Sequence, residues 1–81
     1  MATNRDLEDW IYHTLALYSG KAKSIDIARH IWAQHEAELR ASGNLFYTWQ
    51  HDLHRAAKRL RDRGTLAPAG ATPRGIWAVN K

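Results

Sequence analysis

Five histidines are the residues best suited to hold a metal or move a proton, and their spacing is the first chemical question the chain poses. His51 and His54 stand three apart, so on a helix they share a face. A tetrahedral zinc set would still need two more ligands, and the chain has no cysteine and no suitably spaced carboxylate to supply them. His30 and His35 differ by five positions and point apart on a helix, and His35 reads as a histidine at the edge of a core. No metal site is expected. Nucleophiles fare no better: Ser19, Ser24 and Ser42 each fall where a turn or helix cap explains them. Gly70 and Gly75 lack phosphate-loop spacing and a following Lys-Ser or Lys-Thr. Without a nucleophile, a base and an oxyanion donor in one pattern, the chain is expected not to be an enzyme and to need no cofactor.

Cations carry more information. Arg55, Lys58, Arg59, Arg61 and Arg63 crowd into one short window, more than is needed to complement the end of a helix dipole. Residues 1–20 carry a net charge of −2, residues 21–44 carry +1 and residues 45–81 carry +5, within an overall +4. The basicity is local, and an anionic partner is the chemistry it favours. Four tryptophans could stack bases, but each falls at an inward position of a helical or strand period, which favours a place in the core. Tyr12, beside His13 on the outer side of the first helix, is instead the kind of exposed aromatic that contacts another chain.

These residues must be positioned by one small domain spanning 1–81, because 81 residues without internal repeats barely bury a single core. Apolar residues make up 44%, too many for a disordered tail. Runs of apolar residues stop at four or five, too short to span a bilayer, and Met1 to Asp9 lacks the apolar centre of a signal peptide. With no disulfide framework, the expectation is a cytoplasmic protein away from membranes.

Thr3 followed by Asp6 forms a capping-box pattern, and Leu7, Trp10, Ile11, Thr14, Leu15, Leu17 and Tyr18 then recur at helical spacing until Ser19-Gly20. Lys21–Lys23 could pair as a short edge strand. Ser24 offers an N-cap for a second helix with Ala28, Ile31, Trp32, His35 and Leu39 inward, ending at Ser42-Gly43-Asn44. A third helix, about 48–63, begins after Leu45-Phe46-Tyr47 with Thr48 as its N-cap and ends at Gly64. At ~100° per residue, Trp49, Leu53, Ala56, Ala57 and Leu60 form its buried face. His51, His54, Arg55, Lys58, Arg61 and Asp62 gather on the opposite side. Thr65-Leu66-Ala67 and Ile76-Trp77-Ala78-Val79, separated by a loop with two prolines, read as a hairpin.

The order helix, short strand, helix, helix, strand, loop, strand resembles the winged helix-turn-helix family. The resemblance rests on the helix ending Ala57-Lys58-Arg59-Leu60-Arg61-Asp62-Arg63-Gly64-Thr65-Leu66, the proline and glycine loop, and Arg74-Gly75-Ile76-Trp77-Ala78-Val79. Ser24 to Ile31 resembles the first helix of the family's pair, so nearly the whole chain is covered. Trp49 to Trp77 is also similar to the N-terminal winged-helix domains of restriction enzymes that attack modified DNA. The Gly43 to Tyr47 connection is longer than the tight turn of minimal members. The resemblance implies an α+β fold: a three-helix winged helix-turn-helix with a C-terminal two-stranded hairpin wing and Lys21–Lys23 available as a third strand.

In DNA-binding members the third helix enters the major groove and the wing, here about 68–75, touches backbone or minor groove. Carried over, His51, His54, Arg55 and Lys58 become base contacts, and Thr72 and Arg74 wing contacts. Gln50 at the rim could read adenine in the bidentate way. Lys21, Lys23, Arg59, Arg61 and Arg63 suit phosphates, which hold register without reading sequence. The expected partner is double-stranded DNA, bound selectively or generally by a transcriptional regulator or an accessory DNA-binding module. The alternative is a winged helix that binds only protein, as a homodimer or with a larger partner, through Asp9, Tyr12, His13 and Ala16 of helix 1.

Overall fold

Thr3 and Asp6 close a reciprocal capping box: the Thr3 amide donates to Asp6 Oδ2 at 2.9 Å and the Asp6 amide donates to Thr3 Oγ1 at 3.3 Å. This starts α1, Asn4–Leu17, in a computed structural model that describes residues 3–73 and 75–80. Leu7, Ile11, Thr14 and Leu15 are buried along one stripe of α1. Leu17 and Tyr18, expected inward, are 68% and 39% exposed. They sit in and just beyond the last turn, where the chain is already leaving the helix. Ser19 takes a left-handed φ of 62° and the Gly20 amide donates to Leu15 O at 2.7 Å, the closure of a Schellman-type end.

The short stretch after this turn is β1, Lys21–Lys23, and it runs directly into α2, Ser24–Arg40. Ser24 is the first helical residue and makes no side-chain cap, contrary to expectation. Its amide donates instead to Gly75 O at 2.8 Å, so backbone from the far end of the chain satisfies the helix start. The buried positions of α2 are Ile27, Ile31 and Leu39, while Ala28, Trp32 and His35 are only half-buried. The inward stripe is thus centred one residue earlier than expected and is interrupted at His35, whose φ of −127° and ψ of 20° kink the helix. The His35 ring stacks on Trp10 at 3.8 Å and 7°.

The third helix, α3, spans Leu45–Asp62 and begins three residues earlier than expected. Thr48 therefore lies inside it, and its hydroxyl donates to Asp52 Oδ2 at 2.8 Å instead of capping the start. Trp49, Leu53, Ala56, Ala57 and Leu60 are buried, matching the expected face. At the far end Gly64 adopts φ 81°, and the amides of Gly64 and Thr65 donate to Arg61 O and Leu60 O at 3.0 and 2.9 Å. This is the same helix closure as in α1, here with the glycine the backbone favours.

Beyond it, β2, Ile76–Ala78, pairs antiparallel with β1 in the register Lys21↔Ala78, Ala22↔Trp77 and Lys23↔Ile76. The expected hairpin survives on the other edge of β2 as one bridge, Leu66↔Val79, supported by the Ala67 amide on Ala78 O at 2.8 Å. Pro68 has no amide to extend that pairing, and a 3₁₀ turn at Ala69–Ala71 follows. The two-stranded sheet is therefore β1–β2, and Lys21–Lys23, considered as an additional edge strand, supplies half of it. The fold is α+β, with α1 packed on α2 and α3 around Leu7, Ile11, Ile31, Leu53 and Leu60, and with Leu66 and Trp77 closing the core from the strand side. No helix among the described residues is long and apolar enough to cross a membrane.

Candidate nucleic-acid interface

The amphipathic wheel of α3 decides which side chains face water. His51, His54, Arg55 and Lys58 are exposed on the side away from the buried stripe, and Gln50 is exposed at its rim beside Trp49. Lys58 meets Asp62 at 3.3 Å, but both side chains are largely in water and such a pair holds little energy. His54 leans edge-on against Trp77, with ring centroids 5.3 Å apart at 86°, which ties this face to β2. Lys21 and Lys23 are exposed on β1 on either side of the half-buried Ala22.

The remaining arginines of the cluster are engaged within the fold. Arg59 Nε donates to Glu8 Oε2 at 2.9 Å, and Arg63 Nη2 donates to Glu8 Oε1. Glu8 is only 11% exposed, whereas its partners are 41% and 58% exposed. Burial on its own pushes the Glu8 carboxyl up; the hydrogen bonds and charges of Arg59 and Arg63 together outweigh it and hold the group below its ordinary value of 4.5. Arg61 is half-buried with its guanidinium 6.0 Å from the centre of the Trp77 ring, and its Nε is shielded from water with no hydrogen-bond partner among the described residues. An Arg lying over an indole face gains cation–π attraction that offsets part of that loss.

On the expected wing, Thr72 is half-buried and its hydroxyl donates to Ile76 O at 2.9 Å, which ties it to the first residue of β2. Arg74 lies outside the described residues. Among the described residues no three of the histidines and carboxylates come together in a way that could hold a metal ion.

Two surfaces had no counterpart in the sequence reasoning. The first is a groove of ≈ 420 Å³ between α2 and α3, lined by Ile25, Arg29, Trp32, Phe46, Trp49 and Gln50 among others. The second is Tyr47, 83% exposed next to that groove's Phe46, with the two rings edge-to-face at 5.0 Å. The signal for the groove lay in Ile25 and Tyr47, large apolar residues that fit neither helix's buried stripe. On α1, Asp9, Tyr12, His13 and Ala16 are exposed together, and Tyr12 meets His13 edge-on at 6.3 Å. Comparison with known protein families, curated proteins and solved structures found no match to this chain.

Proposed function

We propose that this chain is a double-stranded DNA-binding module of winged-helix type, with α3 in the major groove. The observation that carries the reading is the exposed row Gln50, His51, His54, Arg55 and Lys58 along an 18-residue helix, in which only His54 also touches a core side chain, Trp77. A B-form major groove about 12 Å wide admits one helix, and Arg or Lys reaching base edges can pair with guanine while Gln pairs with adenine. Lys21 and Lys23 add cations that touch phosphate without reading sequence. A-form RNA suits this geometry less, because its major groove is too narrow to take a helix. Regulation of transcription, or service to another DNA-processing system, are the roles such a module performs.

With Arg59 and Arg63 held by Glu8 and Arg61 against Trp77, the exposed cations of β1 and the α3 cluster not engaged with another element reduce to Lys21, Lys23, Arg55 and Lys58. Neutralising about four phosphates gives a slope of about −4 for log affinity against log salt. Titration of a labelled duplex at several salt concentrations measures it. A flat salt response, or no binding at low salt, would refute the reading.

The α1 surface supports a second reading, in which the domain binds another protein or a second copy of itself. Tyr12 is 44% exposed and Leu17 68% exposed on the same helix, apolar surface that the buried stripe of α1 does not use. Chemical-shift mapping separates the two: duplex-induced shifts on α3 support DNA, and shifts confined to α1 as protein concentration rises support association.

A further inference from the structure

The α2–α3 groove has aromatic walls and a polar rim. The Trp32 and Trp49 rings lie nearly parallel, 9° apart in plane and 5.8 Å between centroids, and Phe46 is tilted 35° to Trp32 at 6.3 Å. Trp32 and Phe46 are only half-buried, and Ile25 at the rim is 56% exposed, so this apolar surface is left open to water by the fold itself. At ≈ 420 Å³ the groove is within the range of small-molecule sites, roughly 300–1,000 Å³.

Its polar groups narrow the occupant. Gln50 supplies an amide that both donates and accepts, the pairing that matches the N6 and N7 edge of adenine. Arg29 is exposed, and among the described residues no carboxylate forms an ion pair with it, so its charge is available to an anion. Arg40, over the Trp32 and Phe46 rings at 5.4 and 5.7 Å, is already held by Glu36 at 2.8 Å and adds positive potential without an open fork. Trp49 is buried behind Trp32, so a flat ring for the half-open Trp32 and Phe46, a hydrogen-bonding edge for the amide and a negative group for Arg29 describe one chemical class. We infer that the groove takes an unpaired adenine together with its phosphate.

This inference rests on the proposed DNA reading in one respect: Gln50 belongs both to the groove and to the exposed face of α3, one turn before His54. A base displaced from a duplex lying against α3 would therefore have the groove beside it. The same base and phosphate also occur in a free nucleotide, and the test separates the two sources. Base stacking on aromatic side chains is sequence-tolerant and strong enough to change affinity by an order of magnitude.

The full 81-residue chain is titrated with a fully paired duplex, with the same duplex carrying one bulged adenine, and with adenosine monophosphate. Affinity is read by anisotropy, and the indole N–H signals of Trp32 and Trp49 are followed by NMR. About tenfold tighter binding of the bulged duplex, with both indole signals moving, assigns the occupant to a strand. Saturable indole shifts with the mononucleotide and no preference for the bulge assign it to a free nucleotide. Arg29→Gln, an exposed change that leaves the core intact, should remove most of either response, and Trp32→Leu should do the same without altering affinity for the paired duplex. Equal affinity for both duplexes, with indole signals unmoved by the mononucleotide, overturns the inference while leaving the DNA reading in place. If neither duplex binds, the DNA reading fails, and the mononucleotide titration alone decides the groove: saturable shifts support it and their absence overturns it.

Discussion

Arg55 and Arg61 are six residues apart on the same helix and have the same chemistry, yet their surroundings give them opposite roles. Arg55 projects into water, whereas Arg61 lies against Trp77 with its Nε shielded. Arg55→Ala should leave the melting temperature nearly unchanged, within about 0.5 kcal/mol, and weaken duplex binding by about 1–3 kcal/mol. Arg61→Ala removes packing and cation–π contact from Trp77 and should cost about 1 kcal/mol of stability, a fall of roughly 4–8 °C for a domain of this size. Thermal melts read beside anisotropy titrations check both, and a stable Arg61→Ala variant with a selective binding defect would contradict these assignments. The resemblance assigns Arg55 to bases and Arg61 to phosphates, but nothing in the sequence marks Arg61 as packed. The wheel places both arginines on the polar side, and what distinguishes them is Trp77, sixteen positions further on and in another element. The same holds for the α2–α3 groove: the inward period of Trp32 and Trp49 was readable, but not that their rings would meet with Trp49 buried and Trp32 left half-open.

At the scale of elements, the two helix ends closed by left-handed residues offer a paired test. Gly64 ends α3 at φ 81° and a Cβ there would meet nothing within 4 Å, so Gly64→Ala carries a purely backbone cost of about 1 kcal/mol. Ser19 ends α1 at φ 62° without a glycine's freedom. Ser19→Gly should relieve that strain and, after the unfolded-state entropy of glycine is set against it, stabilise by about 0.5 kcal/mol, or roughly 2–4 °C. A fall in melting temperature for Ser19→Gly would mean that its side chain contributes more than its backbone costs. The helices were readable because capping, period and a terminal glycine agree locally: the Thr3–Asp6 box, the α3 buried face and the Gly64 stop all appear where the pattern puts them. The strands were less so. A three-residue strand carries no period, and the pairing of β2 with Lys21–Lys23 instead of a full hairpin with 65–67 depends on Pro68 and on residues more than fifty positions away.

Across the whole molecule, Glu8 joins the acidic first helix to the basic third, and stability and DNA affinity should both pass through it. Its carboxylate is nearly buried and accepts from Arg59 and Arg63, which keeps it ionised below its ordinary value of 4.5. A carboxyl whose folded value is depressed contributes stability that is complete above the unfolded value and is lost as pH falls through the folded one. At pH 7 Glu8→Gln should therefore cost about 1–3 kcal/mol, less than a fully buried pair because both arginines are half in water. Urea midpoints should show that gap narrowing as pH drops below 4.5; a gap that stays constant into acid would mean that the charge is not what binds α1 to α3. The same substitution bears on the proposed function with opposite sign. Gln cannot hold two guanidinium groups as an anion does, so Arg59 and Arg63 become available to phosphates beside Arg55 and Lys58. Provided the variant is folded at the assay temperature, its slope of log affinity against log salt should steepen by up to about 2 relative to the parent chain. An unchanged slope would place Arg59 and Arg63 away from the DNA and restrict the interface to the exposed row from Gln50 to Lys58 with the β1 lysines.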